Sequence, residues 1–152
     1  MKKESEMNKY YKPSIEEFHP GFEYEEKISN LRGQSTEHWI QSVWTEKHNF
    51  DELFDVEYYH GELIKVSIPD SIRVKRLNND DIESQGFKLF GYSNEQHPVY
   101  VWRTGAEEYD YTIRRQHGII KIAKGREALF NGTIRNISEF KRILKQIGYD
   151  KL

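Results

Sequence analysis

Tyr100, Trp102 and Arg103 stand together on one short run of the chain; Tyr109, Tyr111, Arg114 and Arg115 follow on the next, and Lys121 comes on the one after. A guanidinium group binds phosphate through paired N–H donors, and an aromatic face stacks a base or another flat ring. Strand alternation gives Tyr109, Tyr111 and Ile113 one face, with Thr112 and Arg114 on the other. Tyr100 and Trp102 likewise share a face opposite Val99 and Val101. A sheet face that carried both the rings and the cations would suit a nucleotide or another small phosphorylated ligand. The competing reading of the same residues is a covered aromatic core with arginines at its rim.

Other reactive side chains form weaker patterns. Glu23 and Glu25 fall on one face of a strand, with Glu26 next, and could serve as an acid/base or metal pair. The plainer reading is the solvated face of a strand that buries Phe22 and Tyr24. His60 and Glu62 flank Gly61, which reads first as an exposed turn, and His117 beside Gly118 reads as a hairpin turn. There is no Gly-Lys-Ser/Thr phosphate loop, no dinucleotide fingerprint, no Gly-x-Ser-x-Gly elbow and no His-Glu-x-x-His pair. The chain has no cysteine, which excludes disulfides, iron–sulfur clusters and a thiol nucleophile. No catalytic residue, metal ligand set or cofactor is therefore assigned, and binding is expected over catalysis.

Such residues need a scaffold, and 152 residues suffice for one domain with its own core. The hydrophobic share of 36% is low while the aromatic share of 14% is high, so a few large rings must do much of the burying. A net charge of −2 argues against long nucleic-acid tracts, whose affinity needs many phosphate contacts, but not against one small anion. Met1 to Lys9 is charged and is expected to be a mobile tail before a single domain over 10–152. No apolar run approaches the length that spans a bilayer, so the expected location is the cytoplasm, with no membrane partner.

The elements follow from periodicity. Phe140, Ile143, Leu144 and Ile147 make one stripe of a helix over Ser138–Ile147, capped by Asn136 or Ser138 and stopped by Gly148. A shorter helix over Asp80–Gln85 has Asn78 or Asn79 as its cap and ends at Gly86. Strands are expected at Gly21–Glu25, Glu62–Ile68, Ile72–Lys75, Phe87–Tyr92, Val99–Arg103, Tyr109–Arg114, Ile119–Ala123 and Ala128–Ile134. Trp39–Trp44 fits strand or helix, and Phe50–Val56 reads as a short helix. Short connections make the strands pair antiparallel. The expected architecture is α+β: a single antiparallel sheet with two or three helices, the C-terminal one packed on one face.

Three stretches carry a family resemblance. They are Ile15-Glu16-Glu17-Phe18-His19-Pro20-Gly21-Phe22-Glu23-Tyr24-Glu25, then Ile72-Arg73-Val74-Lys75 with Asp81-Ile82-Glu83-Ser84-Gln85-Gly86-Phe87, then Leu129-Phe130-Asn131-Gly132-Thr133-Ile134 with Ser138-Glu139-Phe140-Lys141. In that order they resemble small uncharacterised proteins of Bacteroidetes phages and integrated mobile elements. The resemblance implies a protein expressed inside a bacterial host cell, and it transfers no catalytic residue. Two binding functions are expected from this: capture of a small phosphorylated ligand, in a pocket that a homo-oligomer could complete, or blocking of a host protein. For the second, Trp39, Trp44, Tyr58 and Tyr59 are the natural contacts, since Trp and Tyr dominate interface hot spots.

Overall fold

The computed structural model describes residues 9–29, 37–48, 50–92, 97–103 and 110–149. All but Lys9 of the expected tail lies outside them. The chain divides into two compact units, Met1–Arg76 and Leu77–Leu152. Strands dominate both, and helices are few.

In the first unit, β1 (Tyr10–Tyr11), β2 (Glu23–Ser29), β3 (Glu37–Val43) and β6 (Ile72–Lys75) form a four-stranded sheet in the order β1-β6-β2-β3. A separate two-stranded sheet pairs β4 (Asp55–Tyr59) with β5 (Glu62–Ser67). Phe22, Tyr24, Trp44, Phe54, Ile72 and Val74 are the buried centre of this unit. Phe18 serves as its hub, with its ring 4.8 Å from Phe22, 5.3 Å from Trp44 and 4.8 Å from Phe54, all edge-on. Edge-to-face pairs of this kind set the positive rim of one ring against the negative face of another. On the opposite sheet face the Arg73 guanidinium lies between two rings, 3.6 Å from the Tyr10 centroid and 4.0 Å from Trp39. It also pairs with Glu25 at 3.0 Å.

One expectation is corrected here. The helix expected over Phe50–Val56 stops early: α1 is Phe50–Leu53, and Asp55 and Val56 already belong to a strand. Val56 pairs with Val66, and a β-branched and aromatic run prefers a pleated surface to a helix. Glu62 does open a strand, and His60 and Gly61 make the turn that brings it back, both at positive φ (50° and 79°). The ambiguous Trp39–Trp44 segment is strand up to Val43, the end of β3, which pairs with β2 from Glu23↔Val43 to Ser29↔Glu37.

In the second unit, β7 (Lys88–Tyr92), β8 (Pro98–Trp102), β9 (Tyr111–Gln116), β10 (Ile119–Lys124) and β11 (Glu127–Gly132) form an antiparallel meander. Two helices complete the unit: α2 (Asn79–Ser84) and α3 (Ile137–Gln146). The Asn78 side chain accepts from the Asp81 N–H at 2.9 Å and the Asp81 carboxylate accepts from the Asn78 N–H at 3.0 Å, a reciprocal cap. Asn136 caps α3 by accepting from the Glu139 N–H at 2.8 Å, and the Glu139 carboxylate accepts from the Arg135 N–H at 2.9 Å. The buried α3 stripe of Phe140, Ile143 and Leu144 packs with Tyr100, Ile113 and Ile122 of the sheet, as expected of the C-terminal helix.

The single sheet is therefore corrected to three sheets among the described residues. Local periodicity reports that a segment is a strand and which side chains face inward. It does not report which strand lies beside it, and here the pairing of β1 and β2 with β6 spans about fifty residues or more of chain.

Candidate functional site

Among the described residues of the second unit, α3 covers one face of the sheet and no helix of the unit covers the other. Register decides which residues reach each. Tyr100 pairs with Ile113 and Trp102 with Tyr111, and these point to the core. Val99 pairs with Arg114 and Val101 with Thr112, and these point outward. Arg114 in turn pairs with Lys121, and Thr112 with Ala123.

The eight candidate residues thus separate. Tyr100 is 1% exposed, and burial, with Glu83 nearby, pushes its hydroxyl above the usual tyrosine range. Trp102 and Tyr111 pack edge-on against Tyr149, with centroids 5.5 Å and 5.2 Å away. The Tyr149 hydroxyl donates to the Gln85 carbonyl. Arg115 stands on the inward-facing side of β9, where it donates to the Asn79 side chain at 2.6 Å and to the Leu77 carbonyl at 3.3 Å. Burial lowers its pKa from the ordinary arginine value. Tyr109 lies outside the described residues. The three rings and Arg115 hold the unit together, as the competing reading of the sequence had it.

Arg103, Arg114 and Lys121 are exposed. Arg103 and Arg114 line one concavity of about 430 Å³, together with Phe90, Val99, Val101, Thr112, Gly125 and one carboxylate, Asp110. Phe90 supplies the ring that the sequence reading had sought from Tyr100 and Trp102. It is the extra residue of a β-bulge, since Leu89 pairs with Tyr100 and Gly91 already pairs with Val99. A bulge leaves its extra residue out of the ladder and re-aims its side chain. The ring is 66% exposed, and the Arg103 guanidinium sits 5.4 Å from its centroid. A glycine next to Phe90, at position 91 of an apolar run, was the one available sign of a bulge.

A second concavity, of about 480 Å³, adjoins the first. It shares Phe90, Val101 and Arg103, and adds Lys88, Gly86 and Trp102. Among the described residues Arg103, Arg114 and Lys121 have no acidic partner within salt-bridge distance. Arg114 and Lys121 are directly opposite each other, a like-charge placement that costs stability in an empty sheet.

The remaining candidates are not assembled into a reactive centre. Glu25 is engaged by Arg73. No group of three or more His, Asp or Glu side chains among the described residues could hold a metal ion. Trp44, named as a contact for a host protein, is buried in the first unit, whereas Tyr58 and Tyr59 are more than half exposed. No described helix is long and apolar enough to cross a membrane.

No protein-family profile matches this sequence, and no curated protein or solved structure is significantly similar to it.

Proposed function

We propose that the protein is a non-enzymatic, phage-type binding protein that captures a small anionic, nucleotide-like ligand on the open sheet face of its second unit. The observation that carries this reading is the Phe90–Arg103 pair beside Arg114 in one concavity. A flat ring stacks on Phe90, and the two guanidinium groups take the anion. The concavity is within the few-hundred-Å³ range of small-ligand sites. The near-neutral chain total keeps long polyanions from being the natural ligand.

The test is native mass spectrometry of the protein purified from bacterial cells, followed by identification of any compound that heat releases. A bound phosphorylated compound that disappears in the Arg103→Gln/Arg114→Gln double variant supports the reading. Retention of that compound by the double variant overturns it.

A second reading, a module that blocks or tethers a host protein, is favoured by the β4–β5 hairpin. Tyr58, Tyr59, Leu63 and Ile64 are all more than half exposed on it. Exposed apolar groups clustered in this way mark interaction surfaces. Loss of host-protein capture in Tyr58→Ser/Leu63→Ser, with capture intact in Arg103→Gln/Arg114→Gln, would make this the function.

A further inference from the structure

The two adjoining concavities of the second unit divide the work of binding. One, of about 430 Å³, has Arg114, Thr112 and Asp110; the other, of about 480 Å³, has Lys88 and Trp102. Phe90, Val101 and Arg103 belong to both. Phe90 and Arg103 therefore stand as a partition over a Val101 floor, with room on either side and a separate cation in each compartment. Register explains the arrangement. Lys88 pairs with Val101 and shares its outward face, and the bulge at Phe90 lifts the ring out of the ladder just beyond. On the far side, Arg114 stands opposite Lys121, so two cations adjoin there, and Asp110 is the carboxylate that lines the same concavity.

A ligand with one ring and one phosphate would use one compartment and leave the other cation without a partner. The partition itself carries the group best suited to an anion, the Arg103 guanidinium. We propose that the site takes a bipartite ligand of the dinucleotide class, with one nucleoside half in each compartment and the linking phosphate at Arg103. The proposal rests on the nucleotide-capture reading and specifies its substrate class. Phe90 then stacks one half on the face that the Arg103 guanidinium leaves open, and Lys88 and Arg114 meet the outer polar or anionic groups.

The experiment is isothermal titration of the full chain with 5′-phosphorylated linear dinucleotides and with the matching nucleoside 3′,5′-bisphosphates. Each pair has the same number of phosphates, and only the dinucleotide has a second base and sugar. At least one dinucleotide should bind about tenfold tighter than its bisphosphate, the scale of one added stacked base. Lys88→Gln and Arg114→Gln should each reduce that preference, with the fold checked by circular dichroism. Equal affinity for the two ligand types, or a preference that survives both substitutions, overturns the bipartite site while leaving nucleotide capture standing. No binding of either ligand type overturns both.

Discussion

Arg114 and Arg115 are neighbours in sequence and do opposite things, because a strand turns successive side chains to opposite faces. Arg115 is part of the scaffold. Replacing it by alanine removes charge-assisted hydrogen bonds to Asn79 and Leu77, and should cost about 1.5–3 kcal/mol in urea denaturation. Arg114→Ala, on the exposed face, should stay within about 0.5 kcal/mol of the parent and act on binding instead. Tyr149 sets a second residue-scale test. Burial, and then Tyr111, push its hydroxyl from 10.0 up to about 12. Its proton is held more tightly in the folded state, so this contribution is complete below about pH 10 and is lost as pH rises through about 12. Tyr149→Phe should lose the bond to Gln85 and be less stable at neutral pH, and its stability should fall less than the parent's between pH 10 and 12.

The helices were legible in the sequence because their ends are written in local chemistry. Asn78 with Asp81 caps a short segment anchored by Ile82 and closed by Gly86, and Asn136 with Glu139 opens a segment whose apolar spacing is helical. The sheets were legible only as separate strands. Ser67 and Tyr59 belong to one hairpin, yet the run from Phe50 to Val56 has enough helical spacing to mask the strand that starts at Asp55. The candidate site was half legible for a similar reason. Alternation sorted Tyr111 and Ile113 from Thr112 and Arg114, but it could not say which face α3 would cover. The bulge that makes Phe90 a site residue is a register event, and register is set by the partner strand. One glycine tests the element packing directly. Gly86 adopts φ +95°, and a Cβ there would lie 3.0 Å from the Tyr149 hydroxyl. Gly86→Ala should lower the thermal midpoint, and Tyr149→Phe should cost less in that chain than in the parent, since the hydroxyl it removes is the atom the new Cβ crowds.

At the scale of the whole molecule the charges nearly cancel, at −2, while Arg103, Arg114 and Lys121 concentrate positive charge on one sheet face. Long-range attraction of polyanions is therefore weak, and local contacts must supply the binding. The affinity for a short single-stranded ligand should fall with salt at a log–log slope of about −1.4 to −2.1, which corresponds to two or three phosphate contacts. A much steeper slope would point to a longer polyanion. The exposed β4–β5 hairpin belongs to the first unit, so its contacts and those of the basic face can be removed one at a time.

Trp102 is the second unit's own fluorophore. The chain has three tryptophans, and the other two, Trp39 and Trp44, belong to the first unit. In a Trp39→Phe/Trp44→Phe chain the emission comes from a single indole that lines one of the concavities. Its colour and intensity would then register occupancy of the sheet face by light alone, with no label attached to the protein or to the ligand.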